Sequence, residues 1–257
     1  MSGSPSWYLD PLVAEQKRRV HQQWLRSAAG DRPQDVVLKT DLFEEAYGAD
    51  RIFDDLFLGA CLAVGMDLNS QTVLAAHCRY ACAFQAIACD VRRLALRSES
   101  VDIVVSTSTL DHFQARADIG QSLDEITRVL RPGGVLLLTL DNPWNPLYHV
   151  LRWMSRRGWM PFALGETASL ESLQRMLKDR GFQIQNAAYL IHNPRGISTV
   201  LFLTLRKLLG KLGDLPIRTL LNGFALLGKL PSRAFTGCFV AVSAVKPYSI
   251  VAGLPAD

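Results

Sequence analysis

Residues 101–145 constrain the fold of this 257-residue chain more than any other segment. The segment opens with an apolar run, VDIVVST, which predicts a buried strand, and continues into a helix predicted over residues 119–130. A Pro-Gly-Gly turn then stops the helix and leads into a second apolar run, VLLLTL, which ends at Asp141 and Asn142. The pattern predicts a β-α-β unit with polar groups at the carboxyl ends of both strands, where open α/β sheets bind ligands.

The same alternation of strands and helices extends over most of the chain. Seven apolar runs predict strands at residues 36–43, 61–68, 84–90, 101–107, 135–140, 182–191 and 238–245. Strands that alternate with helices in this way form a mostly parallel sheet with helices on both faces. We predict one α/β domain over residues 1–257, with an N-terminal helical extension at residues 1–34 and a helical insertion at residues 195–233.

Composition and charge narrow the range of functions. Hydrophobic residues make up 49% of the chain and charged residues 20%, which allows a sizeable core and is not typical of disorder. With 28 basic and 24 acidic residues the net charge is only +4, and we expect no nucleic-acid partner. The chain has no apolar leader and no run of about 18 apolar residues, so we expect a cytoplasmic protein without a spanning helix.

The five cysteines follow no metal-binding pattern. They are Cys61, Cys78, Cys82, Cys89 and Cys238, and no two of them form a C-x-x-C pair of the kind that binds zinc. An odd number of cysteines without a leader is typical of reduced thiols in the cytosol. We therefore predict small buried thiols and no metal site.

Two motifs give the chain a family resemblance. The stretches SESVDIVVSTSTLDHF and LDEITRVLRPGGVLLLTL resemble the fourth strand, the following helix and the fifth strand of class I S-adenosylmethionine (SAM)-dependent methyltransferases. The resemblance implies a Rossmann-like, seven-stranded, mostly parallel sheet, SAM as the cofactor, and methyl transfer to a small or lipid-like molecule. A nicotinamide-dependent oxidoreductase is disfavoured, because the chain has no G-x-G-x-x-G motif.

The resemblance also implies a set of cofactor-binding residues, with one departure from the family pattern. The family has a glycine-rich loop, D-x-G-x-G-x-G, after its first strand, whereas this chain has VVLKTDLFEEAYG. In such folds an acid after the second strand, here Asp67, binds the ribose hydroxyls. An acid at this position can also cap the next helix. The implied cofactor residues are Asp41, Gly48, Asp67, Leu68, Asp90, Val91, Ser106 and Thr107. The altered loop also allows an alternative, a catalytically inactive methyltransferase-like protein that serves as a binding partner or scaffold.

Candidate catalytic and substrate residues follow the fourth and fifth strands. His112 beside Asp111 is a candidate general base for a substrate hydroxyl, although packing or cofactor capping explains a histidine there equally well. After the fifth strand, Asn142, Asn145 and Tyr148 lie where family members recognise substrate. These asparagines are equally typical of a structural loop, in which they cap turns.

The predicted helical insertion is both basic and amphipathic. It carries seven basic residues against a single acid, Asp214. Leucines fall on one face of its first helix and a second apolar set on one face of the next: Leu201, Leu205, Leu208 and Leu212, then Ile217, Leu220, Leu221, Phe224 and Leu227. Such a hairpin can form a lid over the sheet and the substrate pocket, or it can lie on a membrane surface. We favour the lid and keep peripheral membrane contact as the alternative; the sequence does not indicate an oligomeric state.

Overall fold

Seven strands form one mixed sheet in the computed structural model, which describes residues 10–29, 35–56, 60–159 and 164–248. The strands are β1 Val36–Lys39, β2 Leu62–Asp67, β3 Gln85–Ala88, β4 Val101–Thr107, β5 Leu130–Asp141, β6 Gln183–Leu190 and β7 Phe239–Val245. Their order is β3-β2-β1-β4-β5-β7-β6, and only β7 runs antiparallel to its neighbours. This confirms the predicted Rossmann-like, mostly parallel sheet.

Helices cover both faces of this sheet. They are α1 Pro11–Ala29, α2 Phe43–Tyr47, α3 Phe53–Leu56, α4 Ser70–Arg79, α5 Arg116–Val129, α6 Pro146–Arg156, α7 Leu170–Lys178, α8 Ile197–Leu209, α9 Asp214–Leu227 and α10 Arg233–Thr236. Side chains of α5 and α7 pack on one face of the sheet, and those of α1, α2, α3 and α4 pack on the other. None of the described helices is both long and apolar enough to cross a bilayer.

Strand β5 shows why the strands read as continuous apolar runs. Leu136 and Leu138 face the core formed with α5 and α7, whereas Val135 and Leu137 face the core formed with α1. Successive strand residues point to opposite faces, so a strand covered on both sides needs apolar residues at every position. The same burial on both faces fixes the register of the strand ends that carry polar groups.

Two local differences from the predicted elements lie close to the strand ends. Strand β1 ends at Lys39, whereas the apolar run predicts that the strand continues through residues 40–43. The Asp41 carboxylate accepts a bond from the Phe43 amide (2.9 Å), which turns the chain into α2. The segment after β5, for which a structural loop is one of the two interpretations, forms helix α6: Asn145 caps it through the Leu147 amide (3.0 Å) and Pro146 occupies its first turn.

The helical insertion packs on the N-terminal helix. Phe202 of α8 and Ile217 of α9 are fully buried with Leu12 and Val13 of α1. Arg206 extends this contact, because its guanidinium pairs with the Asp10 carboxylate (2.8 Å). The apolar face predicted for the second helix of the insertion, now α9, is therefore buried against α1. Residues 1–9 and 30–34 of the predicted extension lie outside the described residues, and the division into one domain with two additions stays a prediction.

Candidate functional site

Polar residues from four strands meet at the carboxyl edge of the sheet. Thr40 follows β1, Asp67 ends β2, Thr107 ends β4 and Asp141 ends β5. Parallel strands place these ends side by side, so residues far apart in the chain come together there. This is the edge at which the sequence places the binding site.

A cluster of three hydroxyls joins the ends of β1 and β4. The Thr40 hydroxyl donates to Ser106 Oγ (2.9 Å) and lies 3.0 Å from Thr109 Oγ1. Ser106 was predicted as a cofactor residue, whereas Thr40 was missed, because a single threonine after a strand gives no distinctive signal. The cluster forms a polar floor between the two strands, with Thr107 beside it and half-buried.

The loop after β1 adopts a conformation that needs no glycine. None of residues 40–48 has a positive φ, and Gly48 itself has φ of −79° at the end of α2. The space beside Gly48 is filled instead by the Glu44 carboxylate, which an added Cβ would overlap. The departure from the glycine-rich family pattern is therefore a different loop structure.

A buried ion pair holds this loop. Lys39 is 2% exposed and Glu45 is 0% exposed, and the Lys39 ammonium lies 3.6 Å from Glu45 Oε1. The same ammonium also donates to the Asp41 carbonyl, and the Tyr80 hydroxyl donates to the other Glu45 oxygen. Burial and the Glu45 charge raise the pKa of Tyr80 well above its usual value. Lys39 and Glu45 thus hold the loop in place. A charged residue within an apolar strand is the one sign of this pair in the sequence.

Asp67 lies where the second strand meets this loop. Its two oxygens accept bonds from the Leu42 amide (3.2 Å) and the Asn69 amide (2.8 Å). Burial raises the pKa of Asp67, against the opposing effect of the Asn69 bond. Leu68 follows with 72% of its surface exposed. Gly65 allows the close approach of the loop, because a Cβ there would lie 2.7 Å from the Leu42 side chain.

Asp90 is engaged by a neighbouring arginine. Its carboxylate accepts from the Arg92 guanidinium at distances of 2.6–3.1 Å, and this pairing lowers the pKa of Asp90. Arg92 also reaches Asp118 (3.2 Å) and lies over the Phe113 ring. Val91 between them is buried. Binding of a ligand amino group by Asp90 stays a prediction, and the carboxylate retains lone pairs for one further donor.

A buried acid lies after β4. Asp111 is 2% exposed; its Oδ2 accepts from the Asp141 amide (2.6 Å), while its Oδ1 has no hydrogen-bond partner among the described residues. Burial, aided by the nearby Asp141 charge, raises the pKa of Asp111 to about 7. The Asp141 carboxylate is paired with Arg195, which enters from the segment before α8. Sequence reasoning missed the role of Arg195 because it is 54 residues from its partner.

Two of the other predicted residues frame this acid. His112 is exposed beside Asp111, where its charge lowers the pKa of the acid against the larger effect of burial. Tyr148 is buried, and its hydroxyl donates to the Gly165 carbonyl (2.8 Å). Gly165 lies so close to the turn at residues 110–113 that an added Cβ would be 2.1 Å from the Phe113 carbonyl. Tyr148 therefore fixes the segment that covers Asp111, and its contact with substrate stays a prediction.

Asn142 and Asn145 connect the end of β5 to the chain before β7. Asn142 Nδ2 donates to the Ala234 carbonyl (2.7 Å) and the Gly237 carbonyl (2.9 Å). Asn145 Nδ2 reaches the Gly237 carbonyl as well (3.1 Å), while its oxygen caps α6. Both side chains have a structural role of the kind that the sequence left open. Substrate contact by either one would require these bonds to open.

We expect Asn142→Ala to lower the free energy of unfolding by about 2 kcal/mol, because the Ala234 carbonyl loses its bond from Asn142 and the buried Gly237 carbonyl keeps only the bond from Asn145. Thermal unfolding measures the loss. Asn186→Ala, at an exposed position of β6, serves as the matched control and should change little. An Asn142→Ala variant with unchanged stability would instead indicate that the Asn142 side chain is available to bind a ligand.

Comparison with known proteins adds sequence and fold relatives. Residues 45–138 match the family model described as a methyltransferase domain. A protein of Mycolicibacterium smegmatis named probable S-adenosylmethionine-dependent methyltransferase is 34% identical over 119 residues. This match covers 40% of the present chain and 41% of the relative, so the chain spans well under half of the curated protein.

Solved structures share the fold over nearly the whole chain. A sarcosine dimethylglycine methyltransferase from Galdieria sulphuraria superposes with a TM-score of 0.61 at 16% identity, covering 94% of this chain and 92% of that one. A methyltransferase from a complex with the Haloferax volcanii Trm112 activator superposes with a TM-score of 0.58 at 18% identity, covering 94% and 96%. At such identities the likeness shows the fold alone.

Proposed function

Because the chain contains a methyltransferase domain of the class I SAM-dependent superfamily, we propose that it transfers a methyl group from SAM to a small or lipid-like molecule. The observation that carries this proposal is the arrangement of Asp67 and the hydroxyl cluster at the carboxyl edge of the matched region. That edge is where an open α/β sheet binds its ligand.

The residues at this edge fit the cofactor. Asp67 would accept the ribose hydroxyls, and the exposed Leu68 side chain offers an apolar face for the adenine ring. Asp90 and Val91 at the end of β3 would meet the adenine edge, and the hydroxyls after β4 would line the methionine part. Bound SAM supplies an electrophilic methyl group at its sulfonium. Asp41 and Gly48 lie in the loop that would face the amino-acid end of SAM.

The chain itself would hold and deprotonate the acceptor. Asp111 is the better candidate for the base, because its buried Oδ1 is unpaired and its pKa of about 7 suits proton transfer near neutral pH. The pairing of Asp141 with Arg195 neutralises the second acid and positions the first. The exposed His112 would then serve to orient the acceptor or exchange the proton with solvent.

The surroundings favour an apolar or small acceptor. Trp144, Trp153 and Trp159 are exposed on and around α6, which follows the end of β5 directly. The neighbour named for sarcosine and dimethylglycine supports a small acceptor, whereas the Trm112 complex supports a protein partner instead. The five cysteines are all free, but the prediction of buried thiols holds only for Cys238, since Cys61, Cys78 and Cys82 are exposed. Free thiols support a cytoplasmic setting.

Asp67→Asn tests the cofactor assignment. We expect the variant to bind SAM about tenfold or more weakly, because the carboxylate that accepts the ribose hydroxyls loses its charge. Isothermal titration calorimetry with SAM and with its demethylated product measures the change. Asp179→Asn, an exposed acid after α7, is the matched control and should bind as the parent does. Equal affinities in all three proteins would remove Asp67 from the site.

The alternative is a methyltransferase-like protein that binds a partner without catalysis. The observation that favours it is the Lys39–Glu45 pair, which occupies the strand end where the family has glycines. Mass spectrometry of small molecules that co-purify with the protein separates the two functions. SAM or its demethylated product in the protein supports the methyltransferase, whereas absence of both together with no heat of SAM binding supports the alternative.

A further inference from the structure

Helix α8 has two apolar faces, of which the fold buries only one. The inner face carries Phe202 and Leu205, which pack against side chains of α9 and α1. The second face is turned by about a quarter of the helix circumference, and its leucines at positions 201, 208 and 212 are seven and four residues apart, a spacing typical of one side of a helix. We call it the outer face of α8: Ile197, Val200, Leu201 and Leu208, continued by Leu212 in the following turn.

The outer face is exposed to an unusual degree. Leu208 is 74% exposed and Leu212 is 81% exposed. Among the described residues, ten large exposed hydrophobic side chains fall between positions 197 and 235. Single exposed leucines are ordinary, but five of these side chains lie on α8 itself, and such a concentration marks a surface that binds a partner.

Positive charge borders the outer face. Lys207 lies on α8 and Lys211 in the turn that follows it, and both are exposed with no acidic partner among the described residues. The one acid of the insertion, Asp214, is already bound by Arg206. Apolar residues bordered by unneutralised lysines are the composition of a helix that lies in the surface of an anionic bilayer.

Aromatic and basic residues continue this composition on the neighbouring helix. The rings of Trp153 and Trp159 meet edge to face at 5.2 Å, and the Arg157 guanidinium lies 4.0 Å from the Trp153 ring centre. Helix α6 is adjacent to the start of α8, since a Cβ at Gly196 would lie 3.3 Å from the Leu151 side chain. Tryptophan and arginine together are typical of the level of lipid headgroups.

We propose that the outer face of α8 docks the protein onto an anionic lipid bilayer. Helix α8 has 13 residues and is about 20 Å long, too short to span a bilayer, so it lies in the plane of the surface. A second copy of the chain is a poorer partner, because it would bring two lysine-rich surfaces together. Helix α8 begins two residues after Arg195, so docking places the membrane beside the carboxyl edge of the sheet.

Vesicle sedimentation of the full chain tests this docking without added cofactor, so its outcome is independent of methyl transfer. We expect binding to phosphatidylcholine vesicles that contain roughly one third phosphatidylglycerol, and much weaker binding to pure phosphatidylcholine. Leu208→Asp combined with Leu212→Asp should weaken binding about tenfold or more. Lys207→Glu combined with Lys211→Glu should weaken binding to the anionic vesicles by a similar factor.

Leu74→Asp is the matched control, since Leu74 is 57% exposed on α4, outside the insertion, and this variant should bind as the parent does. Circular dichroism confirms that the exposed substitutions leave the fold unchanged. Failure of the parent protein to sediment with anionic vesicles overturns the proposal. So does light scattering that shows a dimer in the parent and a monomer in the leucine variant, because the outer face then binds a second copy.

Discussion

Asp111→Asn is expected to reduce methyl transfer by about 100-fold or more while making the protein more stable at pH 8. The variant loses the base, because an amide does not accept a proton at neutral pH. It retains the structural contact, because the asparagine oxygen can still accept from the Asp141 amide as Oδ2 does now. A loss of activity together with a gain of stability is the outcome expected when a buried charge is kept for function.

The pH dependence of this stability follows from the direction of the pKa shift. Burial raises the pKa of Asp111 from its unfolded value near 4 to about 7 in the folded protein. Between these values the folded chain holds a proton that the unfolded chain has lost, so the stability contributed by this group falls as the pH rises from about 4 to about 7. Asp111→Asn removes this pH dependence. Above pH 7 the free energy of unfolding of the variant should exceed that of the parent by about 2 kcal/mol.

Thermal unfolding of parent and variant across this pH range measures the effect, alongside a pH–rate profile of the parent. We expect the parent's rate to rise as the pH passes about 7, where Asp111 ionises. Asp124→Asn, at an exposed acid of α5, is the control and should change neither measurement. A variant that retains full activity would show that the acceptor needs no base from this residue and that positioning suffices.

Lys39→Met is expected to have the largest effect on stability. The substitution leaves the fully buried Glu45 carboxylate without its cation, and an uncompensated buried charge costs about 3–5 kcal/mol. In a domain of this size that loss lowers the unfolding temperature on the order of 10 °C. The loop at residues 40–48 also loses the bond from the ammonium to the Asp41 carbonyl, so SAM affinity should fall with stability.

A second variant distinguishes the effect of the unpaired Glu45 charge from the effect of lost packing around Lys39. In Lys39→Met combined with Glu45→Gln, the amide oxygen can still accept from the Ile52 amide and the side-chain NH2 can donate to the Tyr80 hydroxyl oxygen, but no buried charge remains. We expect the double variant to recover most of the lost unfolding temperature. Lys178→Met, at an exposed position of α7, controls for loss of a lysine alone. If the double variant is as unstable as the single one, the lysine contributes through packing and the pair is not the cause.

The strands and their end residues could be predicted because they depend on local sequence. An apolar run bounded by turns gives a buried strand wherever it falls, and β4 has the bounds that the sequence predicts, Val101–Thr107. Because β2 and β4 run parallel in one sheet, their carboxyl ends must lie at the same edge. Asp67 and Ser106 were therefore placed at the site without any knowledge of contacts.

The contacts across the fold could not be predicted, because they join residues far apart in the chain. Whether Arg195 meets Asp141 depends on how the insertion packs, and periodicity does not give that packing. Periodicity was also ambiguous for α8, where the leucine spacing gave an apolar face but not which face would be covered. Helix α6 is different, since Asn145 followed by Pro146 is a helix start signal in the sequence itself.

The position of β7 has a consequence for the order in which the chain assembles. This strand is the last of the seven in sequence, yet it lies inside the sheet and bonds to β5 on one side and β6 on the other. Until a ribosome has synthesised residue 245, β6 has no partner and the edge of β5 stays open. The first five strands can therefore form a sheet during synthesis, whereas the closing step waits for the final strand to insert between two that are already made.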